Sequence, residues 1–237
     1  RLAQEGALVV CADVMDAKET ADSLPASTSG RKGYSAHVDV TNTAEVEEVI
    51  NRVRRDFGKL DIMVNNAGIT HPVAEVIDIG DDWIDRVLAT NVRGVIACSR
   101  AAARIMREQR SGRIINTASN TGKSAAPGWG VYSASKAAVI AITQVMALEL
   151  APFNVTVNCI CPGVMVTDMM RTGFGQHAEQ MKMNRDELIA QKAKSIPLGR
   201  MGTPEDMGAM VAWIASEDTA FTTGAAFNLT GGENTFF

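Results

Sequence analysis

Residues 113–161 read RIINTASNTGKSAAPGWGVYSASKAAVIAITQVMALELAPFNVTVNCIC, and the fold is decided in this stretch. A short apolar, β-branched run (Arg113–Thr117) passes through a loop of small and polar residues into a long helical pattern (Tyr132–Leu150). The chain then emerges in a second apolar run, Val155–Cys161. The same alternation extends outward in both directions. Strands are expected at Ala7–Ala12, Gly33–Val38, Leu60–Val64 and Ala225–Leu229, and helices at Ala44–Phe57, Asp81–Gln109 and Pro204–Ala215. Strands that alternate with helices form a parallel sheet covered on both faces. Near-continuous apolar strands are what such covering requires. The expectation is an α/β, doubly wound parallel sheet in three α/β/α layers, with no linker, repeat or low-complexity tract dividing residues 1–237.

Composition narrows the function. The chain is 46% hydrophobic and 21% charged with a net charge of −4, which gives no reason to expect a nucleic-acid or anionic-membrane partner. No apolar stretch is expected to reach the length of a membrane span, and no signal-peptide pattern opens the chain. Cys11, Cys159 and Cys161 lie in strand-like runs. Cys159 and Cys161 share a strand face, but no His, Asp or further Cys stands at a spacing that completes a tetrahedral set, so no metal is expected. With Cys98, they read as reduced, buried thiols of a cytoplasmic protein. The helix Tyr132–Leu150 is apolar or small nearly all round, so its outer face needs a cover, and a second copy of the chain is the simplest one.

The opening RLAQEGALVV resembles the last turns of a helix running into a strand. A doubly wound nucleotide-binding fold opens with a strand, a Gly-rich turn and a helix whose N-terminus meets the pyrophosphate. That first strand and turn are expected to precede residue 1, a deficit of roughly 20 residues.

The chemistry centres on Asn91, Ser119, Tyr132 and Lys136. Tyr132 and Lys136 are four apart on a helix and so project from one face. An ammonium near a phenol favours the phenolate, and the expectation is that Lys136 brings the Tyr132 pKa down toward neutrality. Tyr132 then serves as base for an alcohol or acid for a ketone. Ser119, at the end of RIINTAS, stands where Rossmann-type sheets place their ligands, and its hydroxyl can stabilise charge on the reacting oxygen. One Tyr-x-x-x-Lys pair is weak alone, because a solvated helix face produces it too. Asp13, just after LVVCA, can accept hydrogen bonds from the adenosine ribose and so favours NAD over NADP, with a helix cap as the alternative. His71 and His177 have no partner at catalytic spacing and read as surface or loop residues.

Taken together, NNAG (65–68), Asn91 in NVRG, Ser119 thirteen residues before Tyr132 in YSASK, PGVMVT (162–167) and the tail PLGRMGTPEDMGAMVAWIASE…TGAAFNLTGG resemble the short-chain dehydrogenase/reductase family over essentially the whole chain. The resemblance implies that Tyr132 is the acid/base and that Ser119 donates to the substrate oxygen. Lys136 would modulate the phenol and bind the nicotinamide ribose, and Asn91 would hold a relay water. It implies an adenine contact for Asp39 with Val40 against the ring, although Asp39 also fits a turn or cap before an acidic helix start. Asn65, Ala67 and Gly68 would let the backbone approach the cofactor. Pro162 and Gly163 would pass under the nicotinamide, and Thr167 would bond its carboxamide. A substrate lid is expected at about 168–199. Asn120, Trp129 and Met169 are the substrate-contact candidates, and Met170 and Phe174 serve equally well as lid packing. INTASNTGKSA and IPLGRMGTPED look most similar to members acting on polyols, sugar alcohols or vicinal diols. The competing readings are a 3-oxoacyl thioester or steroid-type ketone reductase and a non-catalytic cofactor-binding scaffold. A homo-oligomer is expected, and the family favours a tetramer over a dimer.

Overall fold

The computed structural model describes residues 1–181 and 184–233, with backbone alone at 176, 177 and 179–181. Six strands are β1 (Cys11–Asp13), β2 (Ser35–His37), β3 (Ile62–Asn65), β4 (Gly112–Thr117), β5 (Val155–Pro162) and β6 (Ala226–Leu229). The helices are α1 (Lys18–Ser23), α2 (Thr43–Phe57), α3 (Asp81–Leu88), α4 (Val95–Gln109), α5 (Gly130–Leu150), α6 (Asp168–Met181), α7 (Arg185–Ser195) and α8 (Pro204–Ala215). Every strand pairing is parallel, as the apolar runs required. The strands form two hydrogen-bonded sheets, β1–β2 and β3–β4–β5–β6, where one had been expected. Packing joins them: Val38 beyond β2 meets Val46 and Ile50 of α2 and Cys98, Ala101 and Ile105 of α4, with Leu60 and Met63 against the same cluster.

Register sorts the core by face. Ile114 of β4 lies opposite Val157 of β5, and both pack with Ala102 and Met106 of α4 and Ala147 and Leu150 of α5. On the other face, Ile115 and Ile160 meet Val211 and Ile214 of α8. Successive strand side chains point to opposite faces, so the run RIIN supplies both layers at once. The helix ends have local causes. Asn42 caps α2 by accepting from Ala44 N at 3.1 Å, and Gly58 ends it in the left-handed region at φ 82°. Thr203 and Asp206 close a capping box on α8, with Pro204 in its first turn.

Two expectations change here. The helix expected over Asp81–Gln109 is broken by a π-helical turn, Ala89–Gly94, that carries Asn91. Such a turn frees backbone groups and re-aims side chains, and it recurs at functional sites. The stretch Gly130–Phe153 is also long and apolar enough to cross a membrane by length and composition. The expectation of no such stretch overlooked that this helix holds just two charges, Lys136 and Glu149. Its inner face nevertheless packs on β4 and β5, with Val139 and Ala147 fully enclosed.

Candidate active site

The C-terminal ends of β1 to β5 open into one cleft of about 1480 Å³, larger than a pocket for a drug-sized ligand. This is the crevice outside the carboxyl ends of parallel strands where open α/β sheets bind ligands. Tyr132 and Lys136 reach it from the first turns of α5, Asn120 and Thr121 from the turn after β4, and Pro162 and Gly163 from the end of β5. Ser119 lies two residues beyond β4, just behind the wall and within hydrogen-bonding reach of the Tyr132 phenol. Its Oγ accepts from Thr121 Oγ1 at 3.1 Å and donates to Asn120 Oδ1 at 3.2 Å.

Lys136 is 3% exposed, and its Nζ donates to the Thr117 carbonyl at 2.8 Å while standing 5.6 Å from the Tyr132 ring centroid. Loss of solvation brings its pKa down to about 8. Burial pushes the Tyr132 phenol up, and the Ser119 hydroxyl opposes that shift. This corrects the expected direction. At its distance from the phenol, Lys136 does not offset the loss of water around it, and in the chain by itself the phenol stays protonated at neutral pH.

Asn91 is fully buried, and the π-turn presents its amide to two backbone groups of one residue. Oδ1 accepts from Ile69 N and Nδ2 donates to Ile69 O, both at 2.8 Å, and Nδ2 also donates to Ser135 Oγ at 3.0 Å. Asn91 therefore pins the loop after β3 to α5. A Cβ on Gly68 would stand 3.4 Å from both Asn91 Oδ1 and Lys136 Nζ, so a side chain there would lie in van der Waals contact with both groups.

The cleft fits a dinucleotide. Asp13 offers an exposed carboxylate at the end of β1, and the backbone at Gly68 and Gly163 can be approached closely. At Gly163 a Cβ would come 3.1 Å from Thr230 Cα. A family model described as Enoyl-(Acyl carrier protein) reductase matches residues 1–234. The chain belongs to the short-chain dehydrogenase/reductase family.

Among relatives in this family of nicotinamide-dependent oxidoreductases, the chain is 35% identical to a 3-oxoacyl-(acyl-carrier-protein) reductase FabG of Thermotoga maritima. That match covers 97% of this chain and 89% of the relative. It is equally 35% identical to a meso-2,3-butanediol dehydrogenase of Serratia marcescens, over 98% and 86% of the two chains. A crystal structure of an NAD+-bound xylitol dehydrogenase superimposes with a TM-score of 0.91 at 34% identity, covering 98% of this chain and 91% of that one.

Of the cofactor and substrate positions expected for a short-chain dehydrogenase/reductase, Asp13, Asp39, Val40, Ala67, Gly68, Pro162, Gly163, Thr167, Asn120, Trp129 and Met169 all line the cleft. Several have structural duties as well. Asp13 Oδ1 accepts from Met15 N at 2.9 Å. Asp39 Oδ1 accepts from Thr41 N and Oγ1, each at 2.8 Å, and these bonds hold its carboxyl below the usual range. Thr167 Oγ1 accepts from Met170 N at 3.3 Å in the first turn of α6. Met170 and Phe174 line the cleft too.

Asn65 is a correction. It is 6% exposed and points into the core, where its Nδ2 donates to Ser99 Oγ and Asn116 Oδ1 at 2.8 Å each. Its neighbour Asn66 lines the cleft instead. Consecutive strand residues face opposite ways, and from NN alone the sequence reading had no means to choose between them. His71 lies in the loop after β3, one of the two places expected of it, but not on the surface. It is 2% exposed, its Nδ1 lies 2.7 Å from Pro72 O, and its ring leans on Trp129, which in turn meets Tyr132 edge-on. The His177 side chain lies outside the described residues. The sequence reading also missed Lys192 and Glu233, both at the cleft. No spacing rule links them, because they lie on separate elements 41 positions apart.

Proposed function

We propose that this chain oxidises polyols, sugar alcohols or vicinal diols with NAD+, or reduces the matching ketones with NADH, using Tyr132 as the acid/base. The observation that carries the reading is the meeting of Ser119 and Tyr132 at the cleft beside Asn120 and Thr121. Asn120 and Thr121 are two hydroxyl-reading side chains beyond those the reaction needs. In oxidation the Tyr132 oxygen takes the carbinol proton while Ser119 Oγ donates to the same substrate oxygen, and in reduction the proton returns. A bound nicotinamide accepts or supplies the hydride. Lys136 holds the ribose side of the cleft from its anchor on Thr117, and Ala67, Gly68, Pro162, Gly163 and Thr167 shape the wall along the cofactor. Asn91 keeps the loop bearing Gly68 in place and holds a relay water toward Lys136. Asp13 receives the adenosine ribose hydroxyls and repels a 2′-phosphate, while Asp39 and Val40 flank the adenine. The α6–α7 pair acts as the lid, and copies of the chain assemble as a tetramer in the cytoplasm.

A second reading has its own support. Met169, Met170 and Phe174 give the lid side of the cleft an apolar surface suited to a 3-oxoacyl thioester. The deciding experiment follows absorbance at 340 nm with NAD+ and NADP+ against polyols, vicinal diols and simple secondary alcohols, and with NADH and NADPH against a 3-oxoacyl thioester. NAD+-dependent turnover of a polyol or diol supports the first reading. Turnover confined to the thioester replaces it with the second. Asp13→Ala is expected to reduce the NAD/NADP preference at least tenfold, and an unchanged preference overturns the role given to Asp13.

A further inference from the structure

Lys192 on α7 and Glu233, beyond the end of β6, form an ion pair that ties the α6–α7 side of the cleft to its floor. The Glu233 side chain is 16% exposed and that of Lys192 30%, so solvent screens this pair far less than an open surface bridge. Among the described residues only Oε1 of Glu233 is engaged, and Oε2 is buried with no hydrogen-bond partner there. It stands 3.1 Å from where a Cβ on Gly163 would lie, at the end of β5 and on the cleft shared with Tyr132. A carboxylate oxygen removed from water without a donor is destabilised. An alkyl chain seated beside it would further desolvate the pair, whereas a hydroxyl would supply the missing donor.

We infer that the Lys192–Glu233 pair selects hydroxylated substrates: Glu233 accepts a hydrogen bond from a substrate hydroxyl other than the one oxidised at Tyr132, and Lys192 holds the carboxylate in position from α7. This rests on the polyol or diol reading and names the residues that enforce it. It also accounts for an opposite-charge pair that bridges the floor of the cleft and a lid side that is otherwise lined by Met169, Met170 and Phe174.

The test compares butane-2,3-diol with butan-2-ol, and a pentitol with pentan-2-ol, in the wild type, Glu233→Gln and Lys192→Met. The NADH dissociation constant is read by fluorescence in each. Glu233→Gln is expected to lower kcat/KM for the diol and pentitol about 10- to 100-fold, chiefly through KM, and to shift the diol-to-alcohol ratio by nearly as much. Lys192→Met should move the ratio the same way by a smaller factor. An unchanged ratio in a wild-type enzyme that oxidises the diol overturns this inference alone. An equal loss on both substrates, or a loss matched by weaker NADH binding, also overturns it, assigning the pair to the fold or the cofactor. A wild type that oxidises neither diol nor pentitol removes the substrate reading, and this inference with it. Should Glu233→Gln lose its cooperative melt, the ratio measured in Lys192→Met decides.

Discussion

Burial raises the Tyr132 phenol and lowers the Lys136 ammonium, so loss of water acts on both members of the pair and in both cases favours the neutral form. For catalysis this means that the acid form of Tyr132 is ready at neutral pH, while its base form needs alkali or a positive charge brought by the cofactor. Oxidation is accordingly expected to accelerate as pH rises, with reduction flat until the phenol ionises. Tyr132→Phe should lower kcat at least about 100-fold in both directions while leaving NADH affinity within about twofold; ordinary turnover by that variant would reject the acid/base assignment. Lys136 adds a stability test. Its folded pKa of about 8 lies below the ordinary lysine value of 10.5, so between these limits the unfolded chain binds more protons and stability rises with pH. Relative to Lys136→Met, the wild type should gain about 2 kcal/mol from pH 7.5 to pH 10 in urea unfolding, and a difference that stays constant would show Lys136 to be better solvated than its 3% exposure implies. Both residues were legible in YSASK because helical spacing fixes their shared face. Their electrostatics were not, because burial depends on what the rest of the chain packs around them.

Four elements meet through one line of buried amides and hydroxyls. Asn65 of β3 donates to Ser99 of α4 and Asn116 of β4, Asn116 donates to Thr143 of α5 at 2.9 Å, and Thr143 donates to Val139 O at 2.8 Å. Such a network fixes the relative position of layers that apolar packing alone would leave freer to slide. It lies directly behind the cleft, so it holds β4 and α5, and hence Ser119 and Tyr132, at working distance. Asn116→Ala would remove one of the two acceptors of the Asn65 amide and the donor to Thr143, costing about 1–3 kcal/mol in equilibrium unfolding. A loss below about 0.5 kcal/mol would mean that the line is dispensable. The strands and helices themselves were legible because period and β-branching mark them. The π-turn and this network were not, since a polar residue beside an apolar run looks the same in sequence whether it faces the cleft, as Asn66 does, or the core, as Asn65 does.

The molecule leaves an apolar face uncovered. On α5, Val145 is 53% and Leu148 79% exposed, although the opposite side of that helix includes some of the most enclosed residues in the chain. Ile96 on α4 and Leu88 on α3 add to the exposed apolar surface. A helix of this composition on a soluble fold is stable when something covers its outer face, and membrane insertion would tear Ser135 and Lys136 from their bonds to Asn91 and Thr117. Sequence showed the missing cover as an all-round apolar helix, because composition alone revealed that no side was polar. It could not show which residues stay outside once α4, β4 and β5 have taken their share. With those residues known, the cover can be tested. A second copy meeting α5 would place Leu148 in a water-free contact, where a carboxylate has no partner. Leu148→Glu should therefore shift a tetramer toward smaller species by at least tenfold in dissociation constant, measured by sedimentation velocity, while the monomer keeps its fold and NADH binding. A wild type that sediments as a monomer at micromolar concentration, or a variant that assembles unchanged, would mean that α5 faces something other than its own copy.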